Sequence, residues 1–226
     1  MTSLHPQAVL FDLDGTLIDT APEFIEISKR LREEAGLQPI DETLIWHSVS
    51  NGAVGMVQVA MGLPIDSPEI EHWRNRFLTH YEADLGNLSQ PYPGLVDLIA
   101  EFQRHNLQWG VVTNKLARFA RPLMARMSFQ PQASVIVTPD DVDQPKPHPE
   151  AILLACERLQ CHPARTIYVG DHSRDIEAGR AAGCTTVAAA YGYLAIGESA
   201  SEWGADHVVN SSIELVHYIE ELLAWQ

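Results

Sequence analysis

Five short apolar runs alternate with amphipathic stretches along this chain, and that alternation limits the fold more than any other feature. Residues 9–12, 109–113, 135–138, 167–171 and 185–189 are β-rich and continuous, without the in–out alternation of a half-exposed strand. Strands covered on both faces read this way, and parallel sheets are covered on both faces by their crossover helices. The expected class is therefore α/β, with a doubly wound, Rossmann-like parallel sheet. Between the runs, Leu95, Leu98, Ile99 and Phe102 share one helical face, as do Ile152, Leu153, Cys156 and Leu159. Near the end, Leu215, Val216, Ile219, Leu222 and Leu223 repeat the pattern. These faces are expected to pack on the sheet.

One interval breaks the rhythm. Residues 19–91 add roughly 70 residues between the first two strands, where a parallel connection needs only a crossover of a dozen or more. An inserted helical cap is expected there, flanked by a core made of residues 1–18 and 92–226. Thr20 and Glu23 have capping-box spacing, Pro22 lies in the first turn, and Phe24, Ile27, Leu31 and Ala35 form a stripe. The insertion is expected to end at "QPYPG", residues 90–94, a Pro/Gly-rich stretch suited to a hinge. There is no internal repeat or low-complexity tract.

The formal net charge of −15 would repel nucleic acid and anionic membrane over most of the surface, so any phosphate ligand must meet a local positive site or a cation. Cys156, Cys161 and Cys184 are an odd set without a C-x-x-C pair, which argues against a disulfide framework or a zinc site and fits a reduced cytoplasmic setting. The opening "MTSLHPQ" has no basic-then-apolar leader, and no window reaches about 18 uninterrupted apolar residues. A soluble, untargeted protein is expected, with no nucleic-acid or membrane partner; the sequence leaves its oligomeric state open.

The first run feeds into "VLFDLDGTLIDT", residues 9–20, where Asp12 and Asp14 stand two positions apart. An isolated D-x-D-G after a strand is more often a turn than a site. It is not an EF-hand loop either, because Gly15 is fourth from Asp12 and the intervening ligands are missing. The ends of the other runs change this reading. The second stops at Thr113, Asn114 and Lys115, Lys146 lies in "QPKPHPE", and "GDHSRD" at 170–175 carries Asp171 and Asp175. Ligands bind at the carboxyl ends of strands in an open parallel sheet, so these scattered groups are expected to converge.

The ordered set D-x-D-G-T, T-N, K and G-D-x-x-x-D resembles the four motifs of the haloacid dehalogenase superfamily, across essentially the whole chain. The inserted segment resembles that superfamily's helical cap. The resemblance implies a phosphomonoester hydrolase in which Asp12 is the nucleophile and Asp14 the general acid and base. It also implies that Asp12, the backbone carbonyl of Asp14 and Asp171 hold Mg²⁺, with Asp175 behind them in an orienting role. Asp175 could equally cap the following helix. Thr113 and the Asn114 backbone N–H would bind the phosphoryl group, and Lys146 would pair with it and with Asp12. Lys115 and Arg118 remain divided between surface and anion-binding roles.

Other classes stay in view. Dehalogenases of this superfamily lack the second acidic residue, and its transport ATPases place Thr there. Sugar phosphomutases retain it, and a non-catalytic binding protein would not need all four motif residues. Ser50, Asn51, Gly52 and Ala53 resemble the cap loop that meets substrate in phosphoglycolate-phosphatase-like enzymes; equally, Ser50 or Asn51 could cap a helix carrying Val54, Val57 and Met61. The finer resemblance, in "GVVTNK", "RFA", "YGYL" and "WGADHVV", is to the N-acetylmuramic acid 6-phosphate phosphatases of peptidoglycan recycling, relatives of the phosphoglycolate phosphatases. The implied partner is a small phosphorylated metabolite. His172 departs from the small polar or acidic residue common at that position, and no cap residue is evident for a lactyl carboxylate.

Overall fold

The computed structural model describes residues 5–224; residues 1–4 of the opening stretch and residues 225–226 lie outside it. Strand β1 (Ala8–Phe11) starts the main sheet. The chain then runs through β2 (Ile18–Asp19), α1 (Ala21–Glu34), α2 (Glu42–Trp46), α3 (Gly52–Met61), α4 (Ile70–Asp84) and β3 (Gln90–Pro91). It continues as α5 (Leu95–Arg104), β4 (Gln108–Val112), α6 (Ala117–Arg126), β5 (Val135–Val137), α7 (Glu150–Leu159) and β6 (Thr166–Gly170). Helix α8 (Ser173–Ala182), β7 (Thr185–Ala189), β8 (His207–Val209) and α9 (Ser212–Ala224) complete it.

The main sheet has six parallel strands in the order β5-β4-β1-β6-β7-β8. The chain adds β4 and β5 on one side of β1 and then β6, β7 and β8 on the other, which puts the topological switch point, and so the binding crevice, at the ends of β1, β4 and β6. Alternate residues of β1 serve opposite faces. Val9 and Phe11 join the cluster containing Leu95, Ile99 and Phe102 of α5 and Ile219 of α9. Ala8 and Leu10 join Ile152 and Cys156 of α7 and Ala178 of α8. All four are fully buried, which is why the sequence shows an unbroken apolar run.

The strands begin and end up to one residue earlier than the sequence suggests, so Asp12, Thr113 and Asp171 follow their strands. The sixth strand, β8, went unmarked because three residues carry too little pattern to register. Leu153 is a correction: it is 42% exposed while Ile152, Cys156 and Leu159 are buried. An i, i+4, i+7 set fills the helix face, and the extra position falls on its solvent edge.

Helices α1 to α4 all lie in the chain between β1 and β4, and the antiparallel pair β2–β3 joins the segments that lead into and out of them. Phe24 of α1 packs on Phe77 and Tyr81 of α4, with ring centroids 5.9 and 4.9 Å apart. The expected Thr20–Glu23 capping box does not form. Thr20 is the N-cap residue, but its hydroxyl donates to Asp14 Oδ1 at 2.8 Å. The Glu23 carboxylate, held above the usual range by burial, accepts instead from Gly86 N–H and the Ser89 hydroxyl. Tyr193 takes over part of the cap, its hydroxyl accepting from the N–H groups of Thr20 and Ala21 at 2.7 and 2.9 Å.

Candidate active site

Beyond β1 the chain turns sharply, with Asp12 N–H donating to Val169 O at 2.8 Å and Gly15 N–H to Ile18 O at 3.0 Å. Gly15 adopts φ +82°, and a Cβ there would lie 2.1 Å from Asp171 Oδ2. Gly192 closes the other side, where a Cβ would lie 2.2 Å from Asp171 Cβ. Two bare backbone segments thus pin one carboxylate.

Asp171 accepts from Tyr193 N–H at 2.8 Å and from the Thr16 hydroxyl at 3.2 Å. Among the described residues, it has no Lys or Arg partner. Burial, reinforced by the neighbouring Asp12 and Asp175 charges, holds its carboxyl well above the usual range. Asp12, Asp171 and Asp175 offer carboxylate oxygens that all lie within 4.8 Å of one another. An oxygen-only donor set with more negative charge than its surroundings neutralise suits a hard divalent cation.

Lys146 is the buried counter-charge. Its Nζ lies 2.9 Å from Asp12 Oδ1 and 2.7 Å from Asp175 Oδ1, and donates to Val112 O and the Tyr168 hydroxyl, each at 2.9 Å. Burial opposes its charge, but the two carboxylates outweigh burial and hold the ammonium above the ordinary lysine range. Asp12 Oδ1, although close to this ammonium, makes no directed hydrogen bond to any described group. Burial pushes the Asp175 carboxyl up to about 6 despite the pull of Lys146. Asp175 is not the helix cap: His172 caps α8, and Asp175 occupies the third helical position, accepting from His172 N–H at 3.1 Å. The His172 ring accepts from Arg174 N–H and lies nearly parallel to Trp203, with ring centroids 6.4 Å apart.

Asp14 has separate partners. Lys115 Nζ lies 2.9 Å from its Oδ1 and 3.1 Å from its Oδ2. The same ammonium sits 5.0 Å from the Phe24 ring centre and 4.6 Å from that of Tyr81, and Lys115 borders the cavity. Arg118 is exposed outside the cavity. The Thr113 hydroxyl accepts from Lys115 N–H, and Asn114 Nδ2 donates to Lys146 O at 2.9 Å, tying the ends of two motifs together.

These groups line a cavity of about 390 Å³, and Asp12, Asp14, Thr113, Asn114, Lys146, Asp171, Asp175, Ser50, Asn51 and Gly52 all border it. Its opposite wall comes from α1, α3 and α4, largely apolar through Phe24, Met56, Phe77 and Tyr81. Neither Ser50 nor Asn51 caps α3 through its side chain. Ser50 Oγ donates to Tyr193 O at 3.0 Å, and Arg174 donates to Ser50 O at 2.7 Å, so this loop is fastened to the sheet side. Sequence reasoning missed Tyr193 and Thr16 as supports of Asp171, and Arg74 and Tyr81 as cavity residues; Thr16 stood in D-x-D-G-T and Tyr193 in "YGYL", but each marked a resemblance without a role.

The sequence description of the haloacid dehalogenase-like hydrolase family matches residues 9–189. The chain is 45% identical to an N-acetylmuramic acid 6-phosphate phosphatase from Pseudomonas aeruginosa over 99% of both chains. It is 35% identical to a phosphoglycolate phosphatase from Xanthomonas campestris pv. campestris, covering 93% of this chain and 95% of the relative. A crystal structure from Haemophilus somnus, described as a predicted phosphoglycolate phosphatase, shares the fold with a TM-score of 0.83 at 23% identity, over 96% of this chain and 99% of that one. The chain belongs to the haloacid dehalogenase-like hydrolases. Within that family it is an enzyme, a phosphatase. Among the described residues no helix is long and apolar enough to cross a membrane.

Proposed function

We propose that this phosphatase hydrolyses N-acetylmuramic acid 6-phosphate, in the cytoplasm and within peptidoglycan recycling, through an aspartyl-phosphate on Asp12. The observation that carries the chemistry is the separation of the two aspartates: Asp12 sits against buried Lys146, whereas Asp14 faces the same cavity with its own partners, Lys115 and Thr20. One carboxylate is placed to attack while the other handles protons. Asp12 Oδ attacks phosphorus, the bond to the leaving oxygen breaks, and Asp14 gives that oxygen its proton. Asp14 then takes a proton from water, which attacks the phosphoryl group and frees Asp12. Thr113 Oγ1 and the Asn114 N–H are assigned to the phosphoryl oxygens, and Lys146 to the charge that develops on them.

Asp12, the Asp14 carbonyl and Asp171 would hold Mg²⁺, and the uncompensated charge of Asp171 supports this. The ion would neutralise phosphoryl oxygens and lower the repulsion between anionic nucleophile and anionic substrate. Asp175 acts behind them by fixing Lys146. Residues 19–91 are read as the cap and residues 1–18 and 92–226 as the core; cap closure would exclude water during transfer.

For the substrate, the support is similarity over the full length of both chains, together with a cavity that falls in the range of roughly 300–1,000 Å³ typical of small-molecule sites. Phosphoglycolate is the second reading, favoured by the relatives at 35% identity. A phosphate-release assay with Mg²⁺ should give a higher kcat/KM for N-acetylmuramic acid 6-phosphate than for phosphoglycolate or hexose phosphates, and the reverse order would replace this substrate. Turnover that depends on a sugar bisphosphate and releases no phosphate would indicate a mutase.

A further inference from the structure

Four cationic side chains border the cavity, and three have partners. Lys146 is paired with Asp12 and Asp175, Lys115 with Asp14, and Arg174 donates to Ser50 O. The fourth, Arg74 of α4, is half-buried and makes no ion pair or hydrogen bond with any described residue. Its neighbour Arg76, two positions along the same helix, is paired with Glu34. In a chain with 30 acidic and 15 basic residues, an unpaired guanidinium on the wall of an anion-binding cavity is out of keeping with its surroundings.

A second observation lies on the same helix face. Tyr81, seven residues further along α4, also borders the cavity; it is 2% exposed, and its hydroxyl has no hydrogen-bond partner among the described residues. That hydroxyl is closed to solvent, so the ring is what Tyr81 presents to the cavity. Seven residues are nearly two helical turns, so Arg74 and Tyr81 stand on one stripe about 10 Å apart. Tyr81 is the end near the chemistry, because Lys115 Nζ lies 4.6 Å from its ring centre and 2.9 Å from Asp14 Oδ1.

We infer that this face of α4 selects a phosphomonoester whose leaving group carries a carboxylate at the end remote from the phosphoryl group, with Arg74 binding that carboxylate and the Tyr81 ring packing against the part between the two ends. This rests on the proposed hydrolysis of a sugar phosphate and adds the determinant of its specificity. A guanidinium presents paired donors that match a carboxylate, and the apolar wall from Phe24 and Phe77 keeps the local dielectric low, which strengthens the pair. In phosphoglycolate a single carbon separates the phosphate oxygen from the carboxyl group, so it is too short to reach both ends of the stripe. N-Acetylmuramic acid 6-phosphate places a sugar ring between its phosphate and its lactyl carboxylate. Among the described residues Arg74 makes no ion pair or hydrogen bond, which leaves its guanidinium donors for such a ligand.

The test is kcat/KM on a matched pair, N-acetylmuramic acid 6-phosphate and N-acetylglucosamine 6-phosphate, which differ by the lactyl group. Wild type is expected to prefer the lactyl sugar. Arg74→Met should lower kcat/KM for it by roughly 10- to 100-fold, mainly through KM, and leave the sugar without the carboxylate within about twofold. Arg74→Lys should restore part of the preference. An equal loss on both sugars, or no loss on either, would overturn the assignment while leaving the hydrolase reading in place. Wild type that cleaves neither sugar phosphate but does cleave an aryl phosphate would overturn the substrate reading and the Arg74 assignment with it.

Discussion

The cavity has two walls built on opposite principles. On the sheet side, polar groups are cross-tied: Lys146 meets four oxygens, Asp171 is pinned by Tyr193, Thr16 and two glycines, and Asp175 bonds both Lys146 and the start of α8. On the helical side, aromatic and aliphatic groups dominate, and the polar ones are few: the Ser50–Gly52 loop, Tyr81 and Arg74. The contrast separates chemistry from recognition. The charges that the proposed mechanism assigns to phosphorus are held in place in the free protein, at the cost of burying like charges together. The opposite wall leaves polar capacity unspent for a leaving group to use.

Variants on the two walls should therefore behave differently. Asp12→Asn is expected to produce the largest effect, a fall in kcat on the order of 10⁴-fold or more with the fold intact, since removing a nucleophile disables the whole catalytic unit. Circular dichroism and steady-state kinetics would check both parts. Lys146→Met should follow, losing activity and also roughly 3–5 kcal/mol of stability by denaturant titration, because it leaves Asp12 and Asp175 buried beside each other unpaired.

A middle-sized effect concerns metal and pH. The Asp175 carboxyl stands at about 6 in the fold against 3.8 ordinarily, and Asp171 is also raised. A carboxyl whose folded pKa is raised contributes stability that is full below its unfolded value and lost as pH climbs through the folded one. The metal-free protein therefore carries a growing penalty from this cluster between about pH 4 and pH 6 and above, which a cation would relieve. The Tm gap between Mg²⁺ and chelator should be small near about pH 5 and wider near about pH 7.5, as read by calorimetry. A gap that narrows with rising pH would remove the cluster as its source. The smallest effect is expected from Ser50→Ala, which removes one hydroxyl bond to Tyr193 O: about a threefold change in KM at most, with kcat retained.

The same contrast explains what could be read from the sequence. The sheet-side wall was legible because its residues follow strand ends, and a parallel sheet brings strand ends together whatever lies between them in the chain. Asp12, Thr113 and Asp171 could be placed from strand position, whereas Lys146, in the loop between β5 and α7, was placed by the order of the motifs it resembles. Lys115 and Asp175 were visible as residues but not in their partners, since pairing with Asp14 or capping behind His172 depends on side-chain directions that spacing does not specify. Thr20 and Glu23 show how local pattern fails: both have the capping-box identities, yet Asp14, Gly86 and Ser89 compete for them from elsewhere in the chain. Arg74 belongs to no motif and follows no strand end, and only the packing of α4 against α1 and α3 sets it on the cavity wall.

The central claim is that Asp12 attacks phosphorus and Asp14 moves the protons. Rapid-quench mass spectrometry on Asp14→Asn, mixed with Mg²⁺ and an aryl phosphate whose leaving group needs little protonation, tests it directly. Attack would proceed while water activation stalls, so one phosphoryl group should accumulate on the peptide containing residues 9–20 and fragment to Asp12. A phosphoryl group found on Ser, His or Cys, or full turnover with no covalent species at any time, would contradict the account.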